Sequence, residues 1–185
     1  MAVREVRIYG DPVLRTRASE VTAFDEALQK LAADMRETME AYHGVGLAAN
    51  QVGVLQRVVV VDVPLDEEGK THAVHTLVNP MILERASSQS AEEGCLSIPG
   101  VYEEVTRAAK IKLRFQDETG KSRTLEAEGY LARAIQHEVD HLDGVLFVDR
   151  LSLLKRQFLR KALDALARGE MPEGYAPPLS PGGAR

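Results

Sequence analysis

The segment Gln136-His137-Glu138-Val139-Asp140-His141 carries the residues of this chain best suited to chemistry. His137 and His141 are four positions apart, so in a helix both imidazoles lie on one face and can reach a single metal ion. Glu138 lies about 100° around the helix axis from His137, where its carboxylate can accept a proton from a water beside the ion. A divalent cation lowers the pKa of such a water towards ~7. The pattern therefore predicts a hydrolytic metal site; the alternative is a polar stretch of a surface helix.

A hydrolytic site of this kind needs a third protein ligand and one open coordination position. Cys95, the single cysteine of the chain, is a candidate because it follows two acids and a glycine and precedes a Pro-Gly turn. Asp149 is the first acid after Gly144, but it falls in an apolar run that predicts a strand. The remaining histidines upstream are expected to be surface or core residues: His43, His72 and His75.

Three helices are predicted from apolar periodicity and from turn residues. Apolar side chains surround the segment 130–142, which predicts that the helix with the two histidines is buried. A stripe of apolar residues over 24–42 predicts an amphipathic helix before it. The third helix, 152–168, is expected to pack through one apolar face: Leu151, Leu154, Phe158, Ala162 and Ala165.

The middle of the chain predicts strands. They are expected where β-branched residues cluster between turn signals: 57–63, 76–83, 105–115 and 123–127. Apolar Ile111, Leu113 and Phe115 alternate with basic residues, which indicates a half-buried antiparallel strand. The order of a helix, several strands and two helices lacks β-α-β alternation and therefore predicts the α+β fold class.

The composition restricts the class of protein. Of the 185 residues, 44% are hydrophobic and 28% are charged, as expected for a soluble globular domain. The 23 basic and 28 acidic side chains give a net charge of −5, which disfavours DNA or a membrane as a partner. The charged N-terminus and the single cysteine favour a cytoplasmic location. We expect one catalytic domain over 1–168 and a flexible, Pro- and Gly-rich tail over 169–185.

Three segments together resemble the signature motifs of the peptide deformylases. They are Gly44-Val45-Gly46-Leu47-Ala48-Ala49-Asn50-Gln51, Glu93-Gly94-Cys95-Leu96-Ser97 and Gln136-His137-Glu138-Val139-Asp140-His141-Leu142. All three follow the order and spacing of that family, and the similarity runs from Ile8 to about Arg168. The resemblance implies antiparallel β-sheets wrapped around a central, buried HExxH helix, with a C-terminal helix. It also implies removal of the formyl group from the N-terminal formyl-methionine of newly synthesised proteins, with release of formate.

The resemblance assigns roles to individual residues. It implies three metal ligands: Cys95, His137 and His141. Glu138 is then the general base for the attacking water, and it later protonates the leaving amine. The side-chain amide of Gln51 and the backbone N–H of Leu96 are implied to form an oxyanion hole, in which each donor contributes about 3 kcal/mol.

Further roles follow from the same resemblance. Substrate contacts are implied for four residues: Gly44, Val45, Gly46 and Glu93. Glycines in this segment would let a peptide backbone approach and pair as an added strand. Arg107 is implied to be a buried support for the HExxH helix, paired with Asp140. Tyr102 stands where some members have a substrate-contacting Arg, so that contact is not implied here.

The identity of the metal is not determined by the ligand types, because thiolate and imidazole suit several divalent ions. The resemblance implies Fe(II) as the native ion, with Zn(II), Ni(II) or Co(II) possible in its place. It also implies that the chain is of the bacterial form, whose members dock on the ribosome through the C-terminal helix. The predicted third helix is basic, with one acid against five cations: Asp164 against Lys155, Arg156, Arg160, Lys161 and Arg168. A solvated face opposite the apolar stripe is the alternative interpretation of this charge.

Two other functions remain open at the level of the sequence. The first is a zinc peptidase or another amidase built on the HExxH pattern, against which Cys95 and the segment around Gln51 argue. The second is a metal-stabilised or ribosome-binding module without activity. Against this stands the presence of Glu138 and Gln51, since neither is needed merely to hold a metal.

Overall fold

The computed structural model describes residues 2–66 and 68–178, and this part of the chain contains three α-helices and seven β-strands. The helices are α1 (Glu26–Ala41), α2 (Gly129–Leu142) and α3 (Leu153–Ala167). The strands are β1 (Gly46–Ala48), β2 (Val58–Pro64), β3 (His72–Ala86), β4 (Gln89–Cys95), β5 (Ile98–Arg107), β6 (Lys110–Gln116) and β7 (Ser122–Glu128). The α+β fold class is confirmed.

The described strands form two antiparallel sheets. One has five strands in the order β1-β2-β3-β6-β7, and the other is the β4-β5 hairpin. Leu113 of β6 lies opposite Leu125 of β7, so the alternating pattern predicted for β6 faces the core. β1 pairs with β2 alone and is therefore an edge strand among the described residues.

The strand predicted over 105–115 is wrong, because the chain there belongs to two strands in different sheets. β5 ends at Arg107 in the hairpin, and β6 begins at Lys110 in the larger sheet. Between them, the amide of Gln136 on α2 pairs with the backbone of Ala108: Nε2 donates to its carbonyl (2.9 Å), and its N–H donates to Oε1 (3.2 Å). A helix side chain thus satisfies the backbone groups where the ladder is interrupted.

Helix α2 lies inside the fold, as its sequence predicts. Ala132, Ile135 and Leu142 are fully buried in the core that also contains Val59 and Val61 of β2. A helix enclosed in this way holds the direction of each of its side chains through packing. The functional residues of α2 are therefore carried on a rigid element.

Helix α1 begins where Asp25 accepts hydrogen bonds from the N–H groups of Ala27 and Leu28, both at 3.1 Å. This cap satisfies donors that the first turn leaves without an intrahelical partner. The helix packs its predicted apolar stripe into the core: Leu28, Leu31, Met35 and Met39. After its C-terminal end the chain continues through Gly44 into β1.

The strand expected around Asp149 is also wrong. Phe147–Arg150 is a 3-10 helix, and Asp149 caps it by accepting from the N–H of Leu146 at 2.8 Å. The same carboxylate forms an ion pair with Arg15. Asp149 is therefore occupied away from the two histidines of α2.

Helix α3 packs through a different face from the one predicted. Leu163 and Leu166 are buried, with Leu159 partly buried beside them. Leu154 and Phe158 are instead 60% and 77% exposed. Periodicity located the helix, but its rotation depends on contacts with β5 and the 3-10 helix, which the pattern does not encode.

The chain continues past α3 to residue 178, while 179–185 of the expected tail lie outside the described residues. Residues 172–178 turn back across the domain, with Pro172 against Gly100. Within the described part of the chain, none of the helices has the length and apolar character needed to cross a membrane.

Candidate metal centre and substrate cleft

Two histidines of α2 and the cysteine at the end of β4 meet at one point. Nε2 of His141 lies 3.3 Å from Nε2 of His137 and 3.2 Å from Sγ of Cys95. The three candidate ligand atoms are all within 4.8 Å of one another. One sulfur and two imidazole nitrogens suit a tetrahedral divalent ion with a fourth position open. These residues therefore fit a single metal ion.

Cys95 is positioned by a tight turn of the hairpin. It pairs with Ile98, so that Leu96 and Ser97 form a two-residue turn between β4 and β5. The preceding Gly94 lies under the ring of Tyr102, where a Cβ atom would be 2.5 Å from a ring carbon. Glycine at this position leaves room for the Tyr102 ring, and the register of the hairpin shifts here, between Glu93 and Cys95.

Glu138 is a buried carboxylate beside these three residues. The residue as a whole is 5% exposed. Its Oε2 atom is buried and has no hydrogen-bond partner among the described residues. Burial raises the pKa of Glu138 to about 7, against the lowering effect of the nearby His137 and Arg107. An unpaired buried carboxylate is costly in a folded protein, and such groups are concentrated at functional sites.

Glu93 connects the metal centre to two buried arginines. Its carboxylate accepts from Arg107 Nε (2.5 Å), from Arg133 Nη1 (2.6 Å) and from His137 Nδ1 (3.0 Å). Burial would raise the pKa of Glu93, but the hydrogen bonds from His137 and Arg107 outweigh it and lower the pKa to about 2. The carboxylate therefore stays ionised and orients His137, leaving Nε2 of that imidazole directed at the candidate ion.

Arg107 extends this network one turn further along the same face of α2. Its Nη1 donates to Asp140 at 2.8 Å, which is the pairing that the family resemblance implies. Asp140 also accepts two hydrogen bonds from Arg150, at 2.6 and 3.1 Å. Charged contacts thus hold this helix at successive turns of one face, at Arg133, His137 and Asp140.

Gln51 lies on the 3-10 helix Ala49–Val52, directly after β1, and is 1% exposed. Its Oε1 accepts from the N–H of Ala48 (2.8 Å), which fixes the orientation of the amide. Its Nε2 donates to Ser97 (3.2 Å) and lies 3.6 Å from Sγ of Cys95. The amide donor therefore faces the metal centre. Leu96, the other residue implied in the oxyanion hole, follows Cys95 in the turn.

A cleft of about 630 Å³ opens above these residues. Its lining includes all four residues to which the sequence assigns substrate contacts: Gly44, Val45, Gly46 and Glu93. Exposure falls along one wall, from the exposed His43 to the buried Gly46. The three candidate ligands thus lie at the floor, and His43 lies at the mouth. A cleft of this size accommodates a ligand larger than one amino-acid residue.

A family model described as polypeptide deformylase matches residues 3–157. The chain belongs to this family. Its function is the deformylation of peptides that begin with N-formyl-methionine, and its members are metal-dependent hydrolases.

Individual deformylases agree with this assignment over most of the chain. The peptide deformylase of Alkalilimnicola ehrlichii is 51% identical over 168 residues, which are 91% of this chain and 93% of the relative. The solved peptide deformylase of Thermus thermophilus is 46% identical, with a TM-score of 0.82 over 90% of this chain and 99% of that one. That of Ehrlichia chaffeensis in complex with actinonin is 36% identical, with a TM-score of 0.84 over 93% and 100%.

Two residues of this deformylase site were missed by the sequence reasoning. Arg133 is 3% exposed and donates to Glu93 and to the carbonyl groups of Val105 (2.9 Å) and Gln89 (3.0 Å). Its position, four residues before His137 on the same helical face, is the signal that could have found it. Ser97, fully buried, holds the Gln51 amide.

The other histidines lie apart from the three candidate ligands. His72 forms an ion pair with Asp62 in a β-hairpin, and its pKa is raised chiefly by that hydrogen bond. His75 is half-buried on β3, and burial lowers its pKa. His43 is exposed at the mouth of the cleft.

Proposed function

We propose that this chain removes the N-formyl group from the N-terminal formyl-methionine of new proteins at the centre formed by Cys95, His137 and His141. The observation that carries this proposal is the unpaired, buried Glu138 carboxylate beside those three ligands. The reaction adds water across the formyl C–N bond, so that formate leaves and a free amine remains. The catalytic machinery is proposed to lie in one domain, 1–168.

The three ligands are proposed to hold one divalent ion through one sulfur and two nitrogens. Both imidazoles are buried, and each coordinates a metal in its neutral form. When bound, the ion acts as a Lewis acid on the amide carbonyl and on water. Fe(II) is proposed as the native ion from the family resemblance, and Zn(II), Ni(II) or Co(II) also suit this ligand set.

Glu138 is proposed as the proton carrier of the reaction. Its Oε2 atom has no hydrogen-bond partner among the described residues, so it can accept a proton from the attacking water. The same carboxyl group then returns that proton to the leaving nitrogen. Both transfers use one buried oxygen at the floor of the cleft.

Gln51 and Leu96 are proposed to stabilise the negative charge that develops on the formyl oxygen. The Gln51 amide is held by Ala48 and Ser97, so its donor is oriented before the substrate arrives. The backbone N–H of Leu96 is placed next to Cys95 by the turn. Donors fixed in this way need no reorganisation during the reaction.

The substrate backbone is proposed to pair along the segment 44–46. β1 is an edge strand, and this segment lines the cleft. An extended peptide can therefore add to the sheet through main-chain hydrogen bonds, which carry no side-chain preference. Glu93 lines the cleft, and its carboxylate accepts a hydrogen bond from His137, so we propose that it acts on the reaction by orienting that imidazole. Arg107, Arg133 and Asp140 are proposed to support the site structurally.

Formate release from a formyl-Met tripeptide tests the function, using enzyme purified under anaerobic conditions and loaded with Fe(II) or Ni(II). We expect turnover by the native chain and its loss in Glu138→Ala, with the metal content of the variant unchanged. Glu84→Gln, on the exposed end of β3, is the control and should retain full activity. Absence of turnover from the metal-loaded native chain would contradict the proposal, as would full activity in Glu138→Ala.

The ribosome is proposed as a partner that binds helix α3. The cytoplasm is proposed as the location of the protein, because its substrates are nascent chains. Arg156, Arg160 and Lys161 are exposed on this helix beside Phe158. Such a cationic surface binds RNA in a salt-dependent manner. Neutralising Lys155, Arg156, Arg160 and Lys161 together should weaken cosedimentation with ribosomes and leave tripeptide turnover unchanged. Unchanged cosedimentation at low salt would contradict this proposal.

A further inference from the structure

The segment 172–178, after α3, forms part of the cleft itself. Tyr175, Ala176 and Pro178 line the same cavity as Cys95 and Glu138. Ala176 is exposed, and Tyr175 and Pro178 are half-buried. By their exposure these residues belong to the mouth of the cleft and not to its floor.

The end of α3 sets the direction in which this segment leaves. Gly169 adopts φ +81°, and its N–H donates to the carbonyl of Leu166 (2.9 Å). The N–H of Glu170 donates to the carbonyl of Ala165 (3.0 Å). These two bonds form a Schellman motif, which ends the helix at a defined angle.

Pro172 anchors the segment on the β4-β5 hairpin. A Cβ atom on Gly100 would lie 2.8 Å from Cγ of Pro172, and Gly100 has φ +77°. Both the close approach and the left-handed backbone require glycine at this position. Gly100 also lines the cleft, so the anchor lies at the cleft wall.

A turn then directs Tyr175 towards the cleft. The N–H of Tyr175 donates to the carbonyl of Pro172 at 3.1 Å, and Gly174 has φ +80°. A left-handed glycine at the third position of a four-residue turn is typical of type II geometry. Burial and the neighbouring phenol of Tyr42 raise the pKa of Tyr175, in agreement with a ring packed near the end of α1. The segment therefore extends from the hairpin towards α1, along the rim.

We propose that Tyr175, held by the turn 172–175, binds the part of the substrate that follows formyl-methionine. This inference rests on the proposed function, because the formyl group must reach Glu138 at the floor and the rest of the peptide must leave past the rim. Tyrosine offers a rigid ring with little conformational entropy to lose, and its contacts need no particular partner side chain. Such a residue suits a substrate whose sequence varies after the first residue.

Two substrates of different length test this inference. Formyl-methionine amide ends before the rim, whereas formyl-Met-Ala-Ala amide extends past it. We expect Tyr175→Ala to raise KM for the longer substrate about fivefold, with kcat unchanged, because an aromatic contact to the peptide is lost. Both constants for the shorter substrate should stay at the values of the native chain. Tyr175→Phe keeps the ring and should keep the native KM for both.

Two variants separate binding from folding. Glu173→Ala changes an exposed residue of the same turn that does not line the cleft, and it should leave both substrates unaffected. Gly174→Ala strains the left-handed position, and we expect it to raise KM for the longer substrate alone. An equal change for both substrates, or no change in Tyr175→Ala, would overturn the inference. A lower KM in Tyr175→Ala would also overturn it, since the segment would then obstruct the cleft.

Failure of this inference is distinguishable from failure of the proposed function. Turnover of formyl-methionine amide by the native chain depends on the metal centre and Glu138 and does not depend on Tyr175. If that turnover is present and the two substrates respond alike to Tyr175→Ala, the inference is wrong and the function stands. If the native chain releases no formate from either substrate, both are wrong.

Discussion

Gly46 of β1 lies against Glu138 of α2 so closely that a Cβ atom on Gly46 would be 2.5 Å from the carboxylate Oε1. The absence of a side chain at position 46 therefore leaves room for the carboxylate of the proposed general base. The same glycine lines the cleft, so one position serves both the carboxylate and the approach of the peptide.

Gly46→Ala is expected to lower kcat about 100-fold, because the added methyl group displaces a carboxylate that must be placed to within about 1 Å. Formate release at saturating tripeptide measures this effect. Gly69→Ala is the control: it adds the same methyl group in a loop that does not line the cleft, where the Cβ atom meets no other atom within 4 Å and the strain of the left-handed backbone (φ +62°) stays local. An unchanged kcat in Gly46→Ala would show that Glu138 has another position from which it acts.

Gln51→Ala is expected to lower kcat between about 100- and 1,000-fold with a smaller change in KM, since one donor to the developing oxyanion is removed. Steady-state kinetics with the tripeptide separates the two constants. Gln56→Ala changes an exposed glutamine nearby and should have no effect. A rise in KM alone would place Gln51 in substrate binding and not in transition-state stabilisation.

Arg133→Met is expected to lower the free energy of unfolding by about 3 kcal/mol, because it removes a buried charge partner of Glu93 and a donor to two backbone carbonyl groups. It should also weaken metal affinity about tenfold or more through the loosened Glu93–His137 contact. Urea denaturation and competition with a chelator measure the two effects. Arg133→Lys should rescue neither, since a single ammonium group does not reproduce the branched guanidinium contacts.

Stability at low pH should depend on Asp34 of α1. Burial would raise the pKa of Asp34, but hydrogen bonds from Lys30, Arg4 and the N–H of Ala2 outweigh it and hold the pKa below its usual value of 3.8. The folded state therefore gains stability from this carboxylate above pH ~4 and loses it as the pH falls through the folded pKa.

Asp34→Asn tests this dependence. We expect it to lower the free energy of unfolding by about 1 kcal/mol at pH 7 and to match the native chain as the pH approaches 2. Glu40→Gln, at an exposed position of the same helix, is the control. If the free energy of unfolding of Asp34→Asn differs from that of the native chain by the same amount at every pH, Asp34 acts through packing and not through its charge.

The melting temperature should fall when the metal is removed and rise with the concentration of free metal ion, because the proposed ligands meet only in the folded chain. An ion present at 1,000 times its Kd adds about 4 kcal/mol to the free energy of unfolding. Calorimetry with and without a chelator measures this. In Cys95→Ala the dependence should largely disappear; if it persists unchanged, the stabilising ion is bound elsewhere.

The local part of the site could be predicted from the sequence, because His137, Glu138 and His141 lie within one helical turn and a half and helical periodicity fixes their mutual placement. Cys95 is 42 positions before His137, and its distance from α2 depends on the whole hairpin. The residues alone made it a candidate, and the three-motif resemblance was needed to join it to the histidines. Arg133 was missed because its spacing from His137 places it on the face of the site but does not reveal its partner Glu93, 40 positions earlier in the chain.

The errors in the fold have the same origin in long-range contacts. The sequence over 105–115 is strand-like on both sides of Ala108-Ala109, and two alanines alone do not show that the chain passes there from one sheet to the other. The face of α3 was wrong because the helix has apolar residues on two sides: Leu154 and Phe158, four positions apart, and Leu163 and Leu166, three apart, each fit a helical stripe. Only the neighbours of α3 decide which of these residues is covered.

The pairing of the Gln136 amide with the backbone of Ala108 also limits how the protein can open. The hairpin and the larger sheet separate at Ala108, and a side chain of α2 takes both of its hydrogen-bonding groups. Neither sheet can detach from α2 at this point without breaking both bonds. The Ala108 amide should therefore exchange with solvent deuterium only through cooperative unfolding.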